Sequence, residues 1–277
     1  MEKLAKESGI ETPTREDLAK LDRKRKNKAS NDDWKDPHDP DAKITKMKDG
    51  RTHLAHKAEH AVDMDTGAIV GVTIQPADRG DTSSIGETLC ETMENLDEVS
   101  DDEHRYEVQE VVTDKGYHSN DVLRDLAEMG IRSYASEPDR GRRNWKGKQA
   151  ERDAVYANRR RIRGERGKRL LRKRGEFLER PFAHCYETGR MRRAHLRGHQ
   201  NILKRVLIHT AGCNVSLLMR TLFGVGTPRA LQGLAALVES ALASLLRLAS
   251  RAQLHHHGDR LALRAHRPGE HIRMLLG

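Results

Sequence analysis

Between Glu107 and Ala135 the chain reads strand, turn, helix, strand, an order that sets the fold class. Glu107–Thr113 is apolar enough for a buried strand and is bounded by Asp114-Lys115-Gly116. Ser119 is placed to cap a helix carrying Val122, Leu123 and Leu126, and Gly130 to close it. Ile131–Ala135 then supplies a second strand. Two strands joined through a helix belong to a parallel or mixed sheet, so the fold class is α/β, a mixed sheet flanked by helices.

The flanking sequence agrees with that class. Leu54, His56, Ala58, His60 and Val62 alternate with Ala55, Lys57, Glu59 and Ala61, and Ile69, Val70, Val72 and Ile74 follow. With Asp65-Thr66-Gly67 between them, the two runs predict a β-hairpin. Ile85, Leu89 and Met93 predict a helix opened by Asp81 or Thr82. A further helix from about 201 to 222 offers Ile202, Leu203, Val206, Leu207, Leu217 and Leu218 for burial. Residues 1–50 read as a polar segment and linker, because Pro37 and Pro40 forbid regular helix in the Asp/Pro-rich part. Residues 51–223 form the expected domain. Residues 224–277 are an Ala/Leu-rich and then basic tail with no evident core, expected to be disordered at least in part.

Composition narrows the class of function. Hydrophobic residues make up 36% of the 277 and charged ones 34%, with a net charge of +9. No run of about 18 apolar residues occurs, so no membrane partner is expected. Cys90, Cys185 and Cys213 lack metal-ligand spacing, which fits a reducing cytoplasm. The charge is concentrated. Arg140 to Arg174 holds 16 Lys or Arg against Glu151, Asp153 and Glu165, a local net of +13. Such a block is the footprint of a polyanion partner, although a solvated helical face would have the same composition. Trp145 and Tyr156 lie within it and could stack on bases.

Two acids stand out. Asp114 follows a buried strand at a glycine turn, where α/β folds place functional groups, though a turn-capping Asp would look the same. Glu179 lies in amphipathic sequence just after the basic block, and alone reads as a surface acid. Brought together, two carboxylates could hold Mg²⁺, and a pair of such ions about 4 Å apart activates water and stabilises a leaving phosphate oxygen. His53, His56 and His60 read better as a packed or solvated strand face than as a metal site, since no acid or cysteine completes a ligand set. His184 and Cys185 are adjacent and so point apart.

The stretches DPDAKITKMKDGRTHLAHKAEHAVD, VVTDKGYHS, SEPDRGRRNWKGK, YANRRRIRGERGKRLLRKRGEFLERPFAH and MRRAHLRGHQNILKRVLIH occur in this order over roughly residues 20 to 229. As a series they resemble the DDE transposases of bacterial insertion sequences, which have a ribonuclease-H-like catalytic core. The resemblance implies that Asp114 and Glu179 are the second and third acids of a catalytic triad holding two Mg²⁺ ions. It implies double-stranded DNA, as transposon ends and target, for partner, and a possible homodimer. Arg142, Arg143, Lys146, Arg159, Arg160, Arg163, Lys168, Arg169 and Arg172 would contact DNA in the basic block, and Arg180, Arg192 and Arg193 would do so near the cut strand.

In that family the first acid lies on a strand ahead of the hairpin. Upstream of Thr52 there is no apolar strand ending in Asp, and Asp63 and Asp65 stand at the hairpin turn. The expectation is a copy shortened at its amino end. It is either a transposase or a DNA-binding remnant without strand cleavage. Gly189-Arg190 also departs from the Gly-Gly that the family commonly has before Met-Arg-Arg.

Overall fold

A computed structural model describes residues 1–46, 50–141, 143–223, 242–244, 247 and 272–276. The strands are β1 (Lys43–Lys46), β2 (Thr52–Asp63), β3 (Ile69–Pro76), β4 (Val108–Thr113), β5 (Arg132–Ala135) and β6 (Ile272–Leu276). The helices are α1 (Glu2–Glu7), α2 (Arg15–Arg23), α3 (Asp81–Glu98), α4 (Asn120–Glu128), α5 (Gln149–Arg163), α6 (Glu165–Ala183) and α7 (His199–Phe223). The predicted strand–helix–strand unit is β4–α4–β5, and its strands pair in parallel. Ser119 caps α4 by accepting from the Val122 N–H at 3.1 Å, and Gly130 ends it at φ +75°.

β2 and β3 form the predicted antiparallel hairpin. Its alternation covers two buried faces rather than one. Ala61, Val111 and Met274 pack under α3 and α4 with Ile85, Leu89, Val122 and Leu126. Val62, Val112 and Tyr134 pack under α6 and α7 with Leu170, Leu178, Ile202 and Val206. A sheet covered on both faces buries consecutive residues of one strand, as at Ala61 and Val62.

The sheet runs β1-β2-β6-β4-β5, with β3 also on β2. Its central strand is the surprise. β6 pairs antiparallel with β2 and parallel with β4, and Met274 is fully buried. A tail read as lacking a core therefore supplies the strand that joins the hairpin to the β4–β5 pair. Most of residues 224–277, including the expected disordered part, lie outside the described residues.

Three local features differ from expectation. α3 begins at Asp81 itself, with Gly80 at the cap position and no side-chain cap. Met93 is exposed, and the buried stripe instead takes in Ser84 and Thr88, which meet polar groups of β2 and β3, and Thr92, which donates to the Thr88 carbonyl. On α7, Leu207 and Leu218 face outward, because Asn214 turns the opposite side onto β3, donating to the Ile69 carbonyl at 2.8 Å and accepting from its N–H at 2.9 Å. By length and composition alone His199–Leu222 could cross a membrane; here it packs against β3.

The Asp/Pro-rich segment is docked on the domain. β1 pairs with the first residues of β2. Asp39 and Asp41 accept from the Gly198 and His199 N–H groups at 3.0 and 3.1 Å. They thus satisfy donors that the start of α7 leaves open.

Candidate carboxylate site and nucleic-acid interface

Asp114 follows the last residue of β4 and caps a short 3₁₀ turn, accepting from the Gly116 N–H at 2.7 Å. A Cβ on Gly116 would come 2.2 Å from Asp81 Oδ2 and 3.0 Å from Asp114 Oδ1. A larger residue would push the Asp81 carboxylate aside, so glycine lets the two carboxylates share one small space. Asp81 is held by Lys57 Nζ at 2.5 Å, and the same ammonium reaches Glu59 Oε1 at 2.7 Å. Glu59 is fully buried and accepts from Ser84 at 2.5 Å and Thr88 at 2.7 Å. Burial works against the charged Lys57, but its two carboxylate partners outweigh it and raise its pKa. Tyr117 closes the group; burial and then Glu59 push its phenol upward. From the sequence, Asp81 stood out only as a helix opener, and Lys57 and Glu59 only as members of an alternating strand. The available signal was the alternation that puts Lys57 and Glu59 on the strand face of Ala61, toward α3.

Glu179 lies on the outward side of α6, with Oε1 3.9 Å from where a Gly175 Cβ would stand. It is exposed and lines a groove of about 430 Å³ with Arg174, Phe182, Tyr186, Glu187 and Arg192. Among the described residues no three His, Cys, Asp or Glu side chains are grouped so as to hold a metal ion. Asp63 and Asp65 do not complete such a group. Asp63 opposes Met274, which opposes Val111 on β4, and its carboxylate caps the hairpin turn through Thr66 N at 2.9 Å. β6, lying beside β4, reads Ile-Arg-Met-Leu-Leu and carries no acid. Among the described residues, the donors therefore do not fit a two-Mg²⁺ centre.

The remaining candidates have structural partners. His56 meets Asp39 at 2.9 Å. His60 is buried against Phe182, and burial lowers its pKa to about 4. Burial raises the Cys185 thiol to about 11, far from a reactive thiolate.

The basic block folds as α5 and α6 around a corner at Gly164. Some of its cations turn inward. Arg143 and Arg159 bind Glu137 at 3.0 and 2.7 Å and lie over the Trp145 and Tyr156 rings. The two aromatic residues thus back guanidinium groups. The hydrogen bond from Arg159, against the cost of burial, holds the Glu137 carboxyl below its usual range. Arg161 donates to the Ser133 carbonyl at 2.8 Å, and Arg166 reaches buried Glu110 at 2.7 Å. These contacts pin the corner to the amino ends of β4 and β5.

Other cations point to solvent. Lys146, Arg160, Arg163, Lys168, Arg169, Arg172, Arg180, Arg192 and Arg193 are exposed. Lys168 pairs with Glu165 at 2.7 Å and Arg180 with Glu176 at 2.5 Å, while Arg192 pairs with Glu187. Arg142 lies outside the described residues. What the corner presents is a cluster of outward guanidinium and ammonium groups on a rigidly anchored helix pair.

No curated protein and no solved structure matches the chain. The family model described as a transposase DDE domain does match, over residues 19–214. That span runs from α2 to the Asn214 clamp and takes in Asp114, the basic corner and Glu179, so this chain belongs to the transposase DDE-domain family.

Proposed function

We propose that this domain is the DNA-binding part of an insertion-sequence transposase, a ribonuclease-H-like fold that grips duplex DNA through the α5–α6 corner. The observation that carries the reading is the outward group Arg160, Arg163, Lys168, Arg169 and Arg172, held on helices whose other arginines bind Glu110, Glu137 and Ser133. Such cations contact phosphates and carry little sequence information by themselves. Support for the fold comes from the strand order, in which a hairpin lies antiparallel to a central strand that runs parallel to β4 and β5. Duplex binding measured over a salt series tests the function. Several phosphate contacts give a log–log slope of about −0.9 each, and a slope near zero rejects the reading.

Strand cleavage is the second reading, with Asp114 and Glu179 as Mg²⁺ ligands. The observation that favours it is Asp114 at the carboxyl end of β4, sharing the Gly116 space with Asp81. Against it, no third acid is grouped with them among the described residues, so a DNA-binding domain without strand cleavage fits the described residues better. Mg²⁺-dependent nicking that disappears in Asp114→Asn and in Glu179→Gln would reverse that preference. DNA as duplex ends, and a homodimer bridging two of them, belong to the same proposal.

A further inference from the structure

A pocket of about 350 Å³ lies between the β2–β3 turn, α6 and α7, and shares no lining residue with the groove beside Glu179. Its walls are apolar: Ile69 from the hairpin, Phe177 and Pro181 from α6, and Leu217 from α7. The walls are also fixed. Gly67 takes φ +79°, and a Cβ there would come 3.2 Å from the Phe177 ring, so the turn closes directly on that ring. Lys173 Nζ stands 4.7 Å from the ring centre and donates to the Met64 carbonyl, which holds Phe177 against the end of β2. The charge is one-sided. Arg180 and Arg220 are exposed in the lining, and among the described residues no Asp or Glu lines it. Arg180 is paired with Glu176 at 2.5 Å. Arg220 has no carboxylate partner among the described residues. Its guanidinium is close enough to pull on the Cys213 thiol in the same lining, although burial prevails and raises that thiol.

We infer that this pocket binds a small amphipathic carboxylate, its apolar body between Phe177 and Leu217 and its head on Arg220. Apolar walls with a few polar groups at one side are the usual make-up of a small-molecule site, and such sites begin at about 300 Å³. One unpaired guanidinium matches one negative charge, and its planar fork meets both oxygens of a carboxylate. A phosphate dianion would bring a second charge, and the second cation, Arg180, is already taken by Glu176. An extended peptide fits less well. The backbone N–H and carbonyl of Ile69 are both bound by Asn214, so the strand end in the pocket has no open groups for a peptide to pair with. The inference does not depend on DNA binding, because the pocket stands apart from the α5–α6 corner.

The test follows maleimide labelling of the full chain, resolved by cysteine with peptide mass spectrometry, during titration with hexanoate, 1-hexanol and inorganic phosphate. Cys213 lines the pocket and reports its occupancy, while exposed Cys90 on α3 is the internal control. Hexanoate is expected to slow labelling at Cys213 and leave Cys90 unchanged, with a midpoint about tenfold lower than that of hexanol, the scale of one charge-assisted contact. Phosphate alone should not protect. Arg220→Gln, checked for folding by thermal melts, should bring the two midpoints together. The wild-type comparison stands without the variant. No protection of Cys213 by hexanoate overturns the site. Equal midpoints for hexanoate and hexanol in the wild type overturn the carboxylate and leave an apolar cavity. Protection by phosphate as strong as that by hexanoate overturns it in favour of a plain anion contact, the kind a DNA backbone would make. A hexanoate midpoint that Arg220→Gln leaves unchanged overturns the assignment of the head group to Arg220.

Discussion

Asp39 accepts a hydrogen bond from the Gly198 N–H at 3.0 Å, across 159 residues of sequence. One carboxylate thereby ties the Asp/Pro-rich segment to the start of α7. It also meets His56 at 2.9 Å, which fastens it to β2. Burial works against the charged Asp39, but the hydrogen bonds from His56 and Gly198 prevail and its pKa falls.

Replacing Asp39 with Ala should cost about 1–2 kcal/mol, the usual scale for losing a helix cap. Its pH signature follows from a pKa lowered on folding. The stabilisation is complete above the ordinary carboxylate value and is lost as pH falls through the lower folded one. Chemical denaturation between pH 7 and 3 should show Asp39→Asn less stable than wild type near neutrality, with the gap closing toward acid.

His60 predicts a second pH effect. Buried against Phe182, it stays neutral in the fold down to about pH 4, whereas the unfolded chain takes up a proton near 6.5. Between those values the unfolded state binds more protons, so stability should fall as pH drops from about 6.5 to about 4. The shift corresponds to a loss on the order of 3 kcal/mol. His60→Phe should remove that part of the slope, as read from melting temperatures across the pH range.

Inward and outward arginines should separate in assay. Arg159→Ala leaves Glu137 with a weaker set of partners and should destabilise the fold by about 1.5–3 kcal/mol. Arg163→Gln and Arg169→Gln should leave the melting temperature nearly unchanged. Each should instead weaken DNA binding and reduce the salt slope by about 1 for every phosphate that is no longer neutralised. Equal effects of both classes on stability would contradict the assignment of partners.

Met274 should be one of the most sensitive positions in the described sheet. It is fully buried, opposite Asp63 on β2 and Val111 on β4, and packs with Ala61 and Val111 in the core under α3 and α4. Met274→Ala should cost about 2–5 kcal/mol. Removing residues 272–277 should expose the edges of β2 and β4 and abolish a single cooperative unfolding transition. A truncated chain that melts like wild type would show that β6 does not hold the sheet together.

Much of the local structure could be read from the residues. Ser119, Gly130 and the period-two run through Val62 act over a few positions, and the elements they predicted are present. Asp114 could be placed at a strand end by the same means. Its company could not, because Asp81, Lys57 and Glu59 meet near it only after α3 docks across the hairpin. Met93 and Leu218 show the opposite failure. Both fit an apolar periodicity, yet the side of the helix that meets the sheet was chosen by polar partners, Thr88 for Glu59 and Asn214 for Ile69.

The sequence by itself determined the α/β class, the β4–α4–β5 unit, the concentration of positive charge after Arg140 and, through an ordered motif series, the family. Only the tertiary structure decided which arginines face Glu110 and Glu137 and which face solvent, that Asp39 caps α7, and that Ile272–Leu276 fills the centre of the sheet. The physical reason is range. Caps and periodicity act within one or two turns of chain, while these pairings join residues far apart in sequence and form only when the whole topology has closed.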